Sequence, residues 1–219
     1  MAQDMAQVID AESFSKALNV SRETMAALQT YETLLLKWQK SINLIANSSI
    51  PYLWHRHMLD SAQLSGLVSG PIRNWVDLGS GGGFPGLVVA ILRAQEPGFM
   101  MHLVESDQRK CVFLREVARQ TSARVKVHAA RIETFGETFH PAPEVVSARA
   151  LAPLDRLLDW AFPLFDSRTV GLFLKGQGLS DELISARKGW IFNFDVIPSR
   201  SDPSGSILKV EGLHAADHI

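Results

Sequence analysis

The stretch WVDLGSGGGFPG, residues 75–86, carries five glycines among its last eight residues, directly after a short apolar segment. Glycine has no Cβ, so backbone amides and the start of a following helix can approach a ligand closely. The spacing Gly81-x-Gly83-x-x-Gly86 also satisfies the G-x-G-x-x-G fingerprint of a nucleotide-binding turn. We therefore expect a ligand-binding turn here, between a strand and a helix.

Outward from this turn, short apolar segments alternate with amphipathic ones. Helices are predicted over residues 86–95, 108–120 and 154–165, and a polar SRSDPSG segment separates the last two strands as a hairpin connection. This order predicts an α/β fold of the Rossmann-like kind, a seven-stranded, mostly parallel sheet with a terminal antiparallel hairpin. The predicted strands are NWVDL (74–78), MMHLVE (100–105), RVKVH (124–128), EVVSAR (144–149), TVGLFLK (169–175), WIFNFDVIP (190–198) and SILKVEGL (206–213).

The first seventy residues have a helical pattern without strand-like alternation. Ser21 is a candidate N-cap for a helix whose apolar residues recur from Met25 to Trp38. A second helix start is predicted in SSIPYLWHRHMLDSAQL (48–64), with serine caps and Pro51 in the first turn. We divide the chain into an N-terminal helical extension, residues 1–70, and one compact Rossmann-like domain, residues 71–219.

Composition limits the possible environments and partners. The 219 residues carry a net charge of −1, which argues against indiscriminate polyanion binding. Seven cations between Arg109 and Arg131, with Glu116 as the one acid among them, indicate either a solvated helix face or a flank that faces nucleic acid. The single cysteine, the absence of a long apolar run and an acidic N-terminal sequence without a signal-peptide pattern predict a cytoplasmic protein.

Two ligand classes compete for the glycine turn, a nicotinamide or flavin dinucleotide and S-adenosylmethionine. Glu105 ends the second predicted strand, where a carboxylate can accept hydrogen bonds from the ribose hydroxyls of either ligand. Asp77 favours S-adenosylmethionine, because its carboxylate would attract a cationic ligand and repel a pyrophosphate. The alternatives are an NAD(P)-dependent oxidoreductase and a catalytically silent RNA-binding module.

Several motifs resemble the RsmG (GidB) family of small-subunit ribosomal RNA methyltransferases, over roughly residues 30–180. The resemblance implies a class I S-adenosylmethionine-dependent methyltransferase fold with an N-terminal helical extension. It also implies methylation of N7 of one guanine in the decoding-region loop of 16S ribosomal RNA, presented as free RNA or in a small-subunit assembly intermediate. We expect a monomer that binds neither membrane nor metal. The matching motifs are DLGSGGGFPG, VESDQRKCVFLREVA, ARIETF, VVSARALAPL and LFLKG, with NLIA and RHMLDS in the extension.

The resemblance also implies a set of cofactor contacts. To these, the spacing of the turn adds Gly81, and general class I geometry adds Glu105. The contacts that the family implies are Gly79, Phe84, Ile132, Glu133 and Arg149.

Guanine N7 has a lone pair and no hydrogen, so its methylation needs no general base, only a nucleophile held in line with the methyl group. The fourth strand ends in SARALAP, not in the Asn/Asp-Pro-Pro-aromatic turn of amino-group methylases. We expect Arg149 to act in positioning, by stacking on or hydrogen-bonding the guanine or by holding the cofactor carboxylate; an ordinary salt bridge is the alternative. Lys175, at the end of the fifth strand, either meets a phosphate or is solvated.

Other polar and aromatic residues of the extension leave alternatives open. Arg56 and His57 either face RNA or pair with Asp60 to pin the extension to the core. His55 and His57 point to different helix faces and lack a third ligand, so we predict no metal site. Core packing is the first interpretation for Trp38, Trp54 and Cys111, with base stacking as the alternative for the two tryptophans.

Overall fold

The computed structural model describes residues 8–216, so the ends of the predicted extension and domain, residues 1–7 and 217–219, lie outside it. A seven-stranded sheet has the order β3-β2-β1-β4-β5-β7-β6, in which β7 runs antiparallel to both neighbours and the other pairs are parallel. The predicted sheet is confirmed. Its strands are β1 (Asn74–Leu78), β2 (Met100–Glu105), β3 (Val125–Ala129), β4 (Val145–Arg149), β5 (Val170–Lys175), β6 (Trp190–Pro198) and β7 (Ser206–Ala215).

Helices follow the strands as predicted, with shorter ends at two places. The helix after the glycine turn ends at Leu92, and the helix after β4 gives way to a 3₁₀ turn, Phe162–Leu164, that contains Pro163. The α-helices are α1 (Ala11–Leu18), α2 (Arg22–Gln39), α3 (Asp60–Ala62), α4 (Gly86–Leu92), α5 (Gln108–Thr121), α6 (Ile132–Thr138), α7 (Leu154–Ala161) and α8 (Leu179–Ala186).

The extension is helical, but its second helix start differs from the prediction. Ser21 caps α2 as expected, its side chain accepting a hydrogen bond from the Thr24 amide. The next helical stretch begins as a 3₁₀ turn after Ala46, continues as a π-helix over Trp54–Leu59 and passes into α3. The predicted serine cap there is wrong, because the Ser49 hydroxyl bonds back to the Ala46 carbonyl instead of capping.

The two faces of the sheet carry two apolar clusters. One face packs on the extension together with α4 and α5, and the other packs on α6, α7 and α8. Tyr31 and Leu53 of the extension share their cluster with Trp75 of β1 and Leu87 of α4, and all four are buried. The boundary at residue 70 stays a prediction. Within residues 8–216 no helix is both long and apolar enough to cross a membrane.

Candidate active site

The glycine turn runs from the carboxyl end of β1 to α4 and is held from behind by the extension. Tyr31 of α2 donates a hydrogen bond from its hydroxyl to the Gly82 carbonyl. Gly83 has φ +96°, and a Cβ there would lie 2.7 Å from the same hydroxyl. A Cβ on Gly82 would lie 2.9 Å from the Leu44 carbonyl oxygen. The turn therefore needs glycine because the extension packs directly against its backbone.

In front of the turn lies a cavity of about 340 Å³, which we call the cofactor cavity. It opens at the carboxyl ends of the first three strands, where ligands of open α/β sheets bind. Five of the seven predicted cofactor residues line it: Gly79, Gly81, Glu105, Ile132 and Glu133. Helix α7 adds Arg156 and Trp160 to this lining. The Arg156 guanidinium lies 4.6 Å from the centroid of the Trp160 ring. These two residues were not predicted from the sequence, although their i, i+4 spacing on a helix after β4 could have indicated them.

Glu105 ties the turn to the start of α5. Its Oε2 accepts a hydrogen bond of 2.9 Å from the Gly81 amide, and its Oε1 accepts one of 2.8 Å from the Asp107 amide. The buried Cys111 thiol donates to the Glu105 carbonyl at 3.2 Å, which confirms the packing interpretation of this cysteine. The carboxylate is thus fixed at the rim of the cavity, with lone pairs left to accept further donors.

Phe84 lies behind the turn, although the resemblance implies that it contacts the cofactor. Its ring is 5.2 Å from that of Tyr31 and 4.9 Å from that of His57, centroid to centroid, and only 8% of the residue is exposed. In this arrangement Phe84 supports the turn against the extension.

Arg149 lines a second, smaller cavity of about 130 Å³, and Leu151 lines both cavities. The guanidinium Nη2 donates to the Arg56 carbonyl at 3.0 Å, and Nε lies 3.5 Å from Oδ2 of Asp60. Nη1 is buried and has no hydrogen-bond partner among the described residues. Burial lowers the pKa of Arg149, and Asp60 opposes this effect. Arg149 thus forms a salt bridge with Asp60 while one of its donors remains unused, and its role in positioning stays a prediction.

The carboxylate of Asp60 joins three parts of the chain. Its Oδ2 faces Arg149. Its Oδ1 accepts hydrogen bonds from Ser199 at 3.1 Å and Ser201 at 2.7 Å, both in the loop of the terminal hairpin. The expectation that Arg56 or His57 pairs with Asp60 is therefore wrong, because Arg149 occupies that position.

His57 is buried, which corrects its expected place on an RNA-facing surface. Only 8% of the residue is exposed, and its Nε2 lies 2.8 Å from the Ser49 hydroxyl. Burial, together with the nearby charges of Arg149 and Arg56, lowers its pKa to about 3. The Arg56 side chain, by contrast, is exposed and remains free to face RNA.

Lys175 is also buried, so the solvated alternative is wrong. Its Nζ lies 2.6 Å from Oε2 of Glu182 and 3.0 Å from the Ala152 carbonyl, and 7% of the side chain is exposed. The same Glu182 oxygen accepts from the Leu154 amide at the start of α7. Lys175 therefore holds α7 and α8 together at the edge of the smaller cavity.

Asp77 does not face the cofactor cavity, which corrects the argument that favoured a cationic ligand. It is fully buried; Oδ1 accepts from Ser147 at 2.7 Å, and a Cβ on Gly86 would lie 2.8 Å from Oδ2. Burial raises its pKa to about 7, against the lowering effect of hydrogen bonds from Ser147 and Ser80. Asp77 thus braces the turn from below.

No group of three or more His, Cys, Asp or Glu side chains in the described part of the chain is placed to hold a metal ion. Of the two histidines considered for such a role, His55 bonds through Nδ1 to the Val8 carbonyl. Trp54 is buried, with its indole NH donating to Glu32, in agreement with core packing; Trp38 is half-buried beside Phe113.

A family model described as rRNA small subunit methyltransferase G matches residues 24–199. A protein of Parvibaculum lavamentivorans named ribosomal RNA small subunit methyltransferase G is 66% identical over 96% of this chain and 93% of its own. A protein of the same name from Paramagnetospirillum magneticum is 52% identical over 87% and 90% of the two chains.

Solved structures of distant sequence share the fold. Cofactor-bound Rv0187 from MTB superposes with a TM-score of 0.60 at 16% identity, over 93% of this chain and 95% of that one. MtNAS, in complex with MTA and tNA, gives a TM-score of 0.55 at 18% identity, over 93% and 82%. At these identities the likeness concerns the arrangement of strands and helices.

Proposed function

The chain belongs to the rRNA small subunit methyltransferase G family, and on this premise we propose that it methylates N7 of one guanine of 16S ribosomal RNA. The reaction class is ribosomal RNA methylation and the methyl donor is S-adenosylmethionine. The observation that carries the finer proposal is the pairing of two adjoining cavities, one bounded by the glycine turn and Glu105, the other by Arg149 with its unused donor.

The cofactor cavity fits an adenosyl-amino acid in size and in the chemistry of its lining. Its volume of about 340 Å³ lies within the usual range of small-ligand pockets. Glu105 would accept hydrogen bonds from the ribose hydroxyls, the amides near Gly79 and Gly81 would approach the amino-acid end, and Ile132 with Trp160 would border the adenine. Glu133 adds a second acceptor at the same rim.

S-adenosylmethionine supplies an electrophilic methyl group, and the protein's part in the step is to hold the two reactants. Guanine N7 attacks through its lone pair, so no proton has to be removed before the methyl group moves. In this proposal the Nη1 of Arg149 donates to an oxygen of the incoming guanine or of the cofactor carboxylate, and Asp60 keeps the guanidinium in place. Holding the nucleophile at near-attack distance can lower the barrier by several kcal/mol.

The substrate in this proposal is 16S RNA folded alone or within a small-subunit assembly intermediate. A chain with a net charge of −1 gains little from phosphate attraction alone, so the shape of the RNA has to contribute to recognition. We further propose that the protein acts as a monomer in the cytoplasm, where the small ribosomal subunit is assembled.

The test is transfer of labelled methyl groups to small subunits that lack the modification, followed by borohydride/aniline cleavage, which cuts RNA at N7-methylguanine. We expect one cleavage site, in the decoding-region loop. Transfer without any cleavage would refute the N7 assignment. RNA binding that needs no S-adenosylmethionine and leads to no transfer would instead support the silent binding module.

A further inference from the structure

Helices α2 and α5 lie side by side and leave a groove of about 370 Å³ on the surface, which we call the α2–α5 groove. Its floor is apolar and is formed by Leu34, Trp38 and Val112. Its rim is cationic and is formed by Lys37, Arg115 and Arg119. The groove is distinct from the two cavities of the active site, whose linings share none of these six residues.

The charge of the rim is predominantly positive. Glu116 is the acid of the groove, and Arg119 neutralises it through hydrogen bonds of 3.0 and 2.8 Å from Nε and Nη2. Within the described ranges of the chain, neither Lys37 nor Arg115 forms an ion pair. Two cations of the rim therefore remain available to an anionic partner.

The floor leaves apolar surface exposed between these cations. Val112 is 51% exposed, although it lies in the middle of α5. The Trp38 ring packs on Phe113 at 5.8 Å between centroids and is half-buried, so part of it borders the groove. An aromatic floor with separate cations at the rim suits an unstacked base with flanking phosphates.

Both helices connect this groove to the active site. On α2, Leu34 of the floor follows Tyr31, which binds the Gly82 carbonyl of the turn, by about one helical turn. On α5, Lys110 lines the cofactor cavity, and Arg115 lies five residues further on, about 8 Å along the helix axis. The two helices that form the groove thus also contribute to the support and the lining of the cofactor site.

We propose that the α2–α5 groove binds an unpaired segment of the ribosomal RNA substrate, with one base against Trp38 and neighbouring phosphates at Lys37 and Arg115. The inference rests on the proposed function, since it assigns part of the substrate of that reaction to this surface. It favours RNA over a protein segment because RNA is the substrate class of the family and supplies both a planar apolar face and regularly spaced anions.

The first test reverses the charge of the rim. Lys37→Glu and Arg115→Glu are compared with Lys188→Glu, an equal charge change at an exposed lysine after α8. Binding to small subunits that lack the modification is measured against salt concentration, and binding of S-adenosylhomocysteine is measured by calorimetry. We expect each groove variant to bind subunits about tenfold more weakly and with a shallower salt dependence, and the control to resemble wild type. Binding of S-adenosylhomocysteine stays unchanged in all three.

The second test changes the floor. Val112→Glu and Ile184→Glu each place a carboxylate at an exposed apolar position of a helix, in the groove and on α8 respectively. We expect weaker binding and a higher KM for the subunits in Val112→Glu alone, with kcat at saturating RNA retained. Sedimentation of both variants gives their oligomeric state.

The outcomes separate this inference from the proposed function. If wild type methylates the RNA and all groove variants bind subunits as the controls do, the inference is overturned and the function stands. A loss of self-association in Val112→Glu, with RNA affinity unchanged, would identify the groove as an interface between copies and also overturn it. If wild type transfers no methyl group to the RNA, the proposed function fails first.

Discussion

The Nε atom of Arg149 lies 3.5 Å from Oδ2 of Asp60, while Nη1 of the same guanidinium is buried without a hydrogen-bond partner in the described structure. Asp60 is itself held by hydroxyls of the hairpin loop, so the arginine is oriented by groups from the extension and from the carboxyl-terminal strands. One donor of this residue, which lines the smaller cavity, is thereby left without a protein acceptor among the described residues. This arrangement leads to the first prediction.

Asp60→Asn removes the charge that orients Arg149 but keeps the size of the side chain. We expect kcat for RNA methylation to fall by tenfold or more, because small misplacements of a positioning group are costly, while the Kd of S-adenosylhomocysteine changes little. Arg149→Lys combined with Asp60→Asn should slow the reaction no more than Arg149→Lys alone. Single-turnover rates and calorimetry measure both quantities.

The control for this prediction is Glu96→Gln, which removes a carboxylate 2.7 Å from another buried arginine, Arg93, away from both cavities. It tests whether losing any partner of a buried arginine lowers the rate through stability alone. An equal loss of kcat in Glu96→Gln and Asp60→Asn would contradict the positioning role.

Tyr31→Phe deletes the hydroxyl that donates to the Gly82 carbonyl. Because Tyr31 is fully buried, the carbonyl loses its partner without gaining water, and we expect the free energy of unfolding to fall by about 1–3 kcal/mol. The same change should weaken S-adenosylhomocysteine binding, since the turn loses its support. Urea denaturation and calorimetry measure the two effects, with Tyr52→Phe at an exposed position as control; equal effects in both variants would refute the prediction.

Asp77 makes stability decrease with rising pH. Burial raises its pKa from 3.8 to about 7, so the folded state retains a proton that the unfolded state releases above pH 3.8. Its contribution is complete below pH 3.8 and is lost as the pH rises towards about 7. In Asp77→Asn we expect this part of the pH dependence to disappear. Urea midpoints of the variant and wild type between pH 4 and pH 8 measure it, and parallel curves would exclude the effect.

His102 acts in the opposite direction. Its ring lies on the sheet with Nδ1 3.0 Å from Nε2 of His128, and burial lowers its pKa to about 4. The unfolded state therefore takes up a proton as the pH falls below 6.5 while the folded state does not, and stability is lost between pH 6.5 and about 4. Because the buried His57 contributes over the same pH range, His102→Gln should reduce this loss without abolishing it, whereas His214→Gln, at an exposed histidine, should leave it intact. A wild-type slope retained in His102→Gln would show that another group is responsible.

The sheet was predictable because each strand is a short apolar run bounded by turn residues, a signal that lies within a few neighbouring residues. Part of the lining of the cofactor cavity was predictable as well: Glu105, which ends β2, follows from general class I geometry, whereas Gly79 and Ile132 were implied by the family resemblance. What could not be predicted depends on long-range contacts. The sequence does not reveal that Asp77 faces Ser147, that Lys175 pairs with Glu182, or that His57 lies under the turn.

The same distinction explains the pairing of Arg149. Asp60 is 89 residues away from Arg149 in the chain, and other basic residues, such as Arg56 and His57, lie much nearer to it. The sequence therefore does not indicate which of them Asp60 pairs with. Only the packing of the extension on the sheet brings that carboxylate to the end of β4. Burial, which sets the pKa directions of Asp77, His57 and His102, likewise follows from the assembled core and not from local residue order.

The contact between the extension and the turn has a consequence for how this chain can be shortened. A fragment beginning after residue 70 would keep all seven strands, yet the underside of its ligand loop would open to water where Tyr31 and Leu44 now close it. We expect such a truncated protein to bind S-adenosylmethionine weakly or not at all. The helices that precede the sheet therefore support the ligand-binding turn directly.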